Sequence, residues 1–160
     1  MIYFFIRPDL YDTMELQERI LDLNRVKIQL LISWLSHQEL ISLINACDQT
    51  VEDYIMDNIS ASGRAILLQG LGFSEDEFQG RKVARVALNK IYNDMLGKNA
   101  EPLKGTERKA LQEKAFEQLS EEHKEIYYSR FHEKLTDFAP ALERQVEEYV
   151  EKLEKGQGLS

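Results

Sequence analysis

Three histidines, one cysteine and a run of three carboxylates are the side chains from which any chemistry in this chain would have to start. His37, His123 and His132 include no pair at i,i+4. The pair His132-Glu133 therefore lacks the second imidazole that a zinc-binding helix places on the same face. His37 falls inside a helix-start signature and reads as a first-turn surface residue. Cys47 has no basic neighbour in sequence and stands near Leu43 and Ile44, the setting of a small buried hydrophobe and not of an activated thiolate. Glu75-Asp76-Glu77 sit at a predicted helix start, where the macrodipole favours negative charge. Their spacing is not that of a calcium loop. "GLGF" (70–73) follows a predicted helix, so it does not have the strand-to-helix context of a phosphate loop. No Gly-x-Ser-x-Gly occurs. These residues predict no catalytic constellation, no metal site and no cofactor.

Two features have the character of contact surfaces instead. Arg81, Lys82 and Arg85, with Lys90 beyond them, place positive charge on one long helix of an acidic chain. They predict either a solvated face or a docking patch for an acidic partner. Tyr127, Tyr128 and Phe131 form an aromatic cluster. Tyr127 and Phe131 share a face at i,i+4 and read as core, which leaves Tyr128 as the exposed anchor.

The elements that position these residues follow from composition and spacing. The chain has 160 residues, 43% hydrophobic and 30% charged, enough to bury a core. Eight Gly and three Pro argue against an all-β chain rich in tight turns. The net charge is −8, with 14 acids against 10 Lys and Arg in both 1–100 and 101–160. Such an evenly acidic surface repels phosphate backbones and anionic lipid, so no nucleic-acid partner is expected. A single cysteine suits a reducing compartment. The opening "MIYFFIRPDL" is too short for a signal-peptide core or a membrane span. Cytoplasmic location without membrane insertion is the expectation.

Helix signals recur along the chain. Asp12…Glu15, Ser36…Glu39 and Ser74…Glu77 each have the capping-box form. Apolar runs at helical spacing follow: Leu16, Ile20 and Leu23; Val26, Leu30, Leu31 and Trp34; Leu40, Leu43 and Ile44; Val51, Tyr54 and Ile55, closing near Asn58. Ser60 caps a helix with Ile66, Leu67 and Leu71 that Gly72 stops. A longer helix with Phe78, Val83, Val86 and Ile91 ends at Leu96-Gly97. Residues 98–105 read as a linker. Three helices follow within 106–155: Thr106 to Leu119, a second from Ser120 with Ile126, Tyr127, Phe131 and Leu135, and a third entered at Pro140 with Leu142, Val146, Tyr149, Val150 and Leu153. The prediction is an all-α chain. A stack of short helices over 1–97, armadillo-like or an orthogonal bundle, precedes a three-helix extension at 106–155. Five or six helices before residue 97 span only 9–14 residues, and helices of that length are marginal alone, so packing must hold them.

Residues 28–71 resemble the C-terminal domain of the flagellar motor switch protein FliG. The resemblance rests on Ile28-Gln29, Leu31, Leu40, Gln49, Asn58-Ile59-Ser60, Ile66-Leu67 and Leu71, with the helix to Leu96 continuing it. It implies an armadillo-like, cytoplasmic protein-interaction module that works in a multiprotein assembly. The charged torque positions of that family are not kept. Asn45, Ser62, Gln69 and Gly70 stand there, with Arg64 two residues beyond Ser62. The family scaffold is thus implied without its torque function, and the residues after Leu96 have no counterpart in it.

Three functional expectations follow. The first is a non-catalytic interaction module related to the motor switch, with Arg64, Arg81, Lys82, Arg85 and Tyr128 as candidate partner-binding residues. The second is a regulatory or adaptor domain unrelated to motility that binds through 106–155. The third is an enzyme with a site assembled from scattered residues such as His37, Glu39, Arg64 and Tyr92.

Overall fold

The structure, a computed structural model, describes residues 16–101, 103–127 and 137–156. Among these every regular element is a helix, and the all-α class predicted from the sequence is what is observed. A helix over 16–22 (α1) is followed by α2 (Arg25–Trp34), α3 (His37–Ala46), α4 (Gln49–Asp57), α5 (Ala61–Leu71), α6 (Glu75–Leu96), α7 (Gly105–Glu117), α8 (Glu121–Ile126) and α9 (Pro140–Glu154).

The local signals explain where these helices start and stop. The Ser36 hydroxyl accepts from the Glu39 N–H at 3.1 Å, and the Glu39 carboxylate accepts from the Ser36 N–H at 2.8 Å. Ser74 and Glu77 repeat the arrangement at 3.1 and 3.4 Å. Each box satisfies two donors that a helix start leaves orphaned. Ser60 accepts from the Gly63 N–H and Ser120 from the His123 N–H, both at 3.2 Å. Asn24 caps α2 through the Lys27 N–H at 2.9 Å, and Asp48 caps α4 through the Thr50 N–H at 3.1 Å. At the end of α5, Gly72 takes φ +83°. The Phe73 N–H then reaches the Leu68 carbonyl at 2.9 Å and the Gly72 N–H reaches Gln69 at 3.2 Å. That pair of bonds is the Schellman closure, which a side chain at Gly72 would strain. The predicted box at Asp12–Glu15 lies outside the described residues.

The chain divides into two compact units, and the division is not the one expected. One unit comprises Met1–Leu67 together with Lys134–Ser160; the other is Leu68–Glu133. In the first, α9 returns to pack on α2 and buries Val146, Val150 and Leu153 completely. Trp34 and Tyr149 meet edge to face at 5.3 Å and 68°. Arg19 clasps Glu154 with two bonds, at 2.7 and 3.2 Å. Two polar contacts tie the turns of this unit. The Gln17 side chain accepts from the buried Asp48 N–H at 2.8 Å, and the Tyr54 hydroxyl donates to the Leu23 carbonyl.

In the second unit α6 packs against both α7 and α8. Ala84 and Leu88 of α6 share a core with Ala115, Leu119 and Tyr127. A Cβ at Gly80 would stand 3.2 Å from a methyl of Ile126, so its absence lets α8 lie close to α6. The expected linker at 98–105 therefore joins two helices of one unit. Gly97 and Gly105, both at positive φ, turn the chain back on itself. The expected extension at 106–155 is likewise divided, with α7 and α8 in one unit and α9 in the other. The predicted helix from Ser120 also ends early: α8 stops at Ile126, and Tyr127 is extended at φ −96°, ψ 96°. Phe131 and Leu135 lie outside the described residues.

Because α9 completes the first unit, damage to its buried stripe should be felt by helices far away in sequence. Leu153→Ala is expected to lower the unfolding free energy by about 2–5 kcal/mol, the usual cost of emptying a fully buried leucine site. Urea denaturation followed by the Trp34 fluorescence of α2 checks this. An unshifted midpoint would show that α9 is not part of that core.

Candidate interaction surface

The described residues with which chemistry could start are divided between the two units or used for structure. His37 is exposed in the first turn of α3, and His123 is half-buried in α8 of the other unit. His132 lies outside the described residues. Cys47 is buried, as its apolar neighbours predict. Glu39 works as a cap: the Ser36 N–H holds its carboxyl below the ordinary glutamate range, against a smaller upward push from burial. The Gln145 side chain of α9 lowers it further. Burial raises the Tyr54 hydroxyl above its ordinary value. Among the described residues no three His, Cys, Asp or Glu side chains gather as a metal site would need. None of the described helices is long and apolar enough to cross a membrane. Of the four scattered residues considered for a catalytic site, His37, Glu39 and Arg64 belong to the first unit and Tyr92 to the second.

The basic cluster of α6 is where the structure departs most from the sequence reading. Arg81 and Arg85 are each only 8% exposed, whereas Lys82 and Lys90 are exposed. Arg81, Ala84, Arg85 and Leu88 form one stripe at i, i+3, i+4 and i+7, and that stripe faces the core of the second unit. The Arg81 guanidinium lies 4.5 Å from the Phe73 ring centroid and 5.9 Å from that of Tyr127. A planar, weakly hydrated cation on a long apolar stem can be buried between aromatic faces in this way. The expected single positive face of α6 is thus split between inside and outside.

The apolar reading of α6 inverts with it. Val83 and Val86, assigned to the core from their spacing, are 64% and 63% exposed. Valine outranks alanine on any hydrophobic scale, so periodicity follows the valines. The alternative stripe of Ala84, Leu88 and Ile91 was present at steps of four and three but weaker. Only the choice of partner helices, α7 and α8, decides between them. Val26 and Ile66 are exposed in the same manner.

The remaining candidates sit as follows. Arg64 is half-buried, and Tyr128 lies outside the described residues. Tyr127 is buried as expected, its ring 6.4 Å from that of Phe116. Ser62, Gln69 and Gly70 are exposed and Asn45 is half-buried. One polar residue escaped the sequence reading as a structural anomaly. Gln49 is fully buried, and among the described residues neither polar atom of its amide has a hydrogen-bond partner. The chain matches no family model, no curated protein and no solved structure.

Two stability tests follow. Arg81→Lys should cost about 1–2 kcal/mol, because an ammonium cannot reproduce a guanidinium stacked between two rings; equal urea midpoints for the two proteins would refute that role. Gln49→Met keeps the volume and removes two buried unsatisfied groups. It is expected to raise stability by about 1–3 kcal/mol, and a lowered thermal midpoint would mean that the amide is serving a purpose.

Proposed function

We propose that this chain is a non-catalytic, cytoplasmic helical module that acts through protein contacts. The observation that carries the reading is how its side chains are deployed. Residues able to do chemistry are spent on the fold: Glu39 and Glu77 as caps, Cys47 in the core, Arg81 and Arg85 on the buried face of α6. Large aliphatic residues that a folding role would bury are left outside, namely Val26, Ile66, Val83 and Val86. Scattered exposed apolar residues are common on any protein, but two of these lie together on one helix face. A chain built in this way offers a shaped exterior and keeps little polar chemistry in reserve.

In its narrower form the proposal makes this a divergent relative of a flagellar motor switch component, recruited into a multiprotein assembly. That form rests on the pattern over 28–71, which corresponds to the four short helices α2–α5. It excludes torque generation, because the charges that electrostatic coupling to a stator would need are missing at Asn45, Ser62, Gln69 and Gly70. The adaptor reading, with binding through 106–155 as a separate part, is less well supported. Its helices are shared between two units, and the buried stripe of α9 is already occupied by the first.

Affinity capture from the source cell with the full chain as bait tests both levels. A specific protein partner recovered in stoichiometric amount is the expected result. Absence of every switch-complex or stator-linked protein from that set would reject the motor relationship while leaving the interaction role standing.

A further inference from the structure

The outer face of α6 has a composition that folding does not require. At 100° per residue, the buried stripe of Arg81, Ala84, Arg85 and Leu88 lies diametrically opposite a strip formed by Gln79, Lys82, Val83, Val86, Lys90 and Asn93. Every residue of that strip is exposed. Valine is a poorer helix former than the polar residues that usually fill such positions, and neither Val83 nor Val86 is covered. Lys82 and Lys90 make no ion pair among the described residues.

Charge along this helix is equally selective. Acids make up 28 of the 160 residues, yet none falls between Glu77 and Asp94. The outer strip is consequently apolar at its centre and cationic at its flanks, on a chain whose net charge is −8.

We propose that this strip docks an acidic amphipathic helix of a partner protein. The inference rests on the interaction reading above and adds the place and the partner's chemistry. Two valines present too little apolar area to hold a partner alone, so the flanking charges must contribute. Lys82 and Lys90 are eight residues apart, about 12 Å along the axis at 1.5 Å per residue. A partner helix lying alongside, with carboxylates seven or eight residues apart, meets both cations while its apolar stripe covers Val83 and Val86. The same lysines favour rapid, salt-sensitive association. Phosphate backbones fit less well, because the chain's overall negative charge repels them. A second copy of the chain is a distinct outcome that the experiment separates.

The test places the photoreactive residue p-benzoylphenylalanine at position 83 or at position 86 of the full chain in source cells. Crosslinked segments are then mapped by mass spectrometry. Expected is an adduct at both positions with a different protein, within a net-negative segment that carries apolar residues at helical spacing. The double variant Lys82→Glu/Lys90→Glu should reduce adduct yield at least tenfold with an unchanged thermal melt, since both side chains are exposed. The idea is overturned by absence of adducts, by adducts to a neutral or basic segment, by adducts to a second copy of this chain, or by yields that ignore the charge reversal. A parallel probe at exposed Arg144 keeps the two levels apart. Partner capture there but not on α6 removes this inference and spares the interaction role, whereas failure at every position together with an empty affinity capture removes both.

Discussion

The first unit depends on α9 closing it. Each helix from α1 to α5 is short enough to be marginal in water, so the unit holds only if their apolar faces are mutually covered. Part of that cover comes from Val146, Val150 and Leu153, more than a hundred residues beyond α2 in the chain. The arrangement is thermodynamically tolerable because the entropy of closing a loop grows only with the logarithm of its length. The long intervening segment is therefore free to fold into a unit of its own. The Arg19–Glu154 clasp and the Trp34–Tyr149 edge-to-face contact mark the same closure, although the exposed ion pair adds little to its strength.

The second unit shows how one helix can serve two masters. On its inner face α6 buries two arginines with small and medium apolar residues, and the Arg81 guanidinium lies against the rings of Phe73 and Tyr127. On its outer face the aliphatic residues are exposed between lysines that make no ion pair among the described residues. Charge inside and valine outside is the reverse of ordinary amphipathic design. Stacking of the guanidinium on Phe73 offsets part of the cost of burying that charge. What the reversal supplies is an external strip distinct from the acidic remainder of the chain, and that strip is the part of the molecule most readily connected to a function.

Polar residues elsewhere are largely consumed by the backbone. Ser36, Ser60, Ser74, Ser120, Asn24 and Asp48 satisfy helix starts, and the Gln17 side chain reaches across to the Asp48 N–H. Gln49 is an exception, buried with no hydrogen-bond partner for its side-chain amide among the described residues, beside this well-satisfied turn. That contrast is why its replacement by an apolar residue is informative: an unsatisfied amide should be a liability unless something selects for it.

The sequence by itself determined the helical class and most helix ends, since caps and C-terminal glycines act within three or four residues of where they stand. The boxes at Ser36 and Ser74, the cap at Ser60, the closure at Gly72, the stop at Gly97 and the entry at Pro140 were all legible for that reason, as was the buried stripe of α9. Tertiary structure decided which face of α6 turned inward, whether 98–105 was a linker or a turn, and which helices α9 would join. In α6 the weaker stripe of Ala84, Leu88 and Ile91 competes with the valines, so the choice falls to its neighbours α7 and α8. Nothing local to residues 140–154 encodes that their partner is α2. Burial is a property of pairs of surfaces, and a single chain read in order holds only one surface at a time.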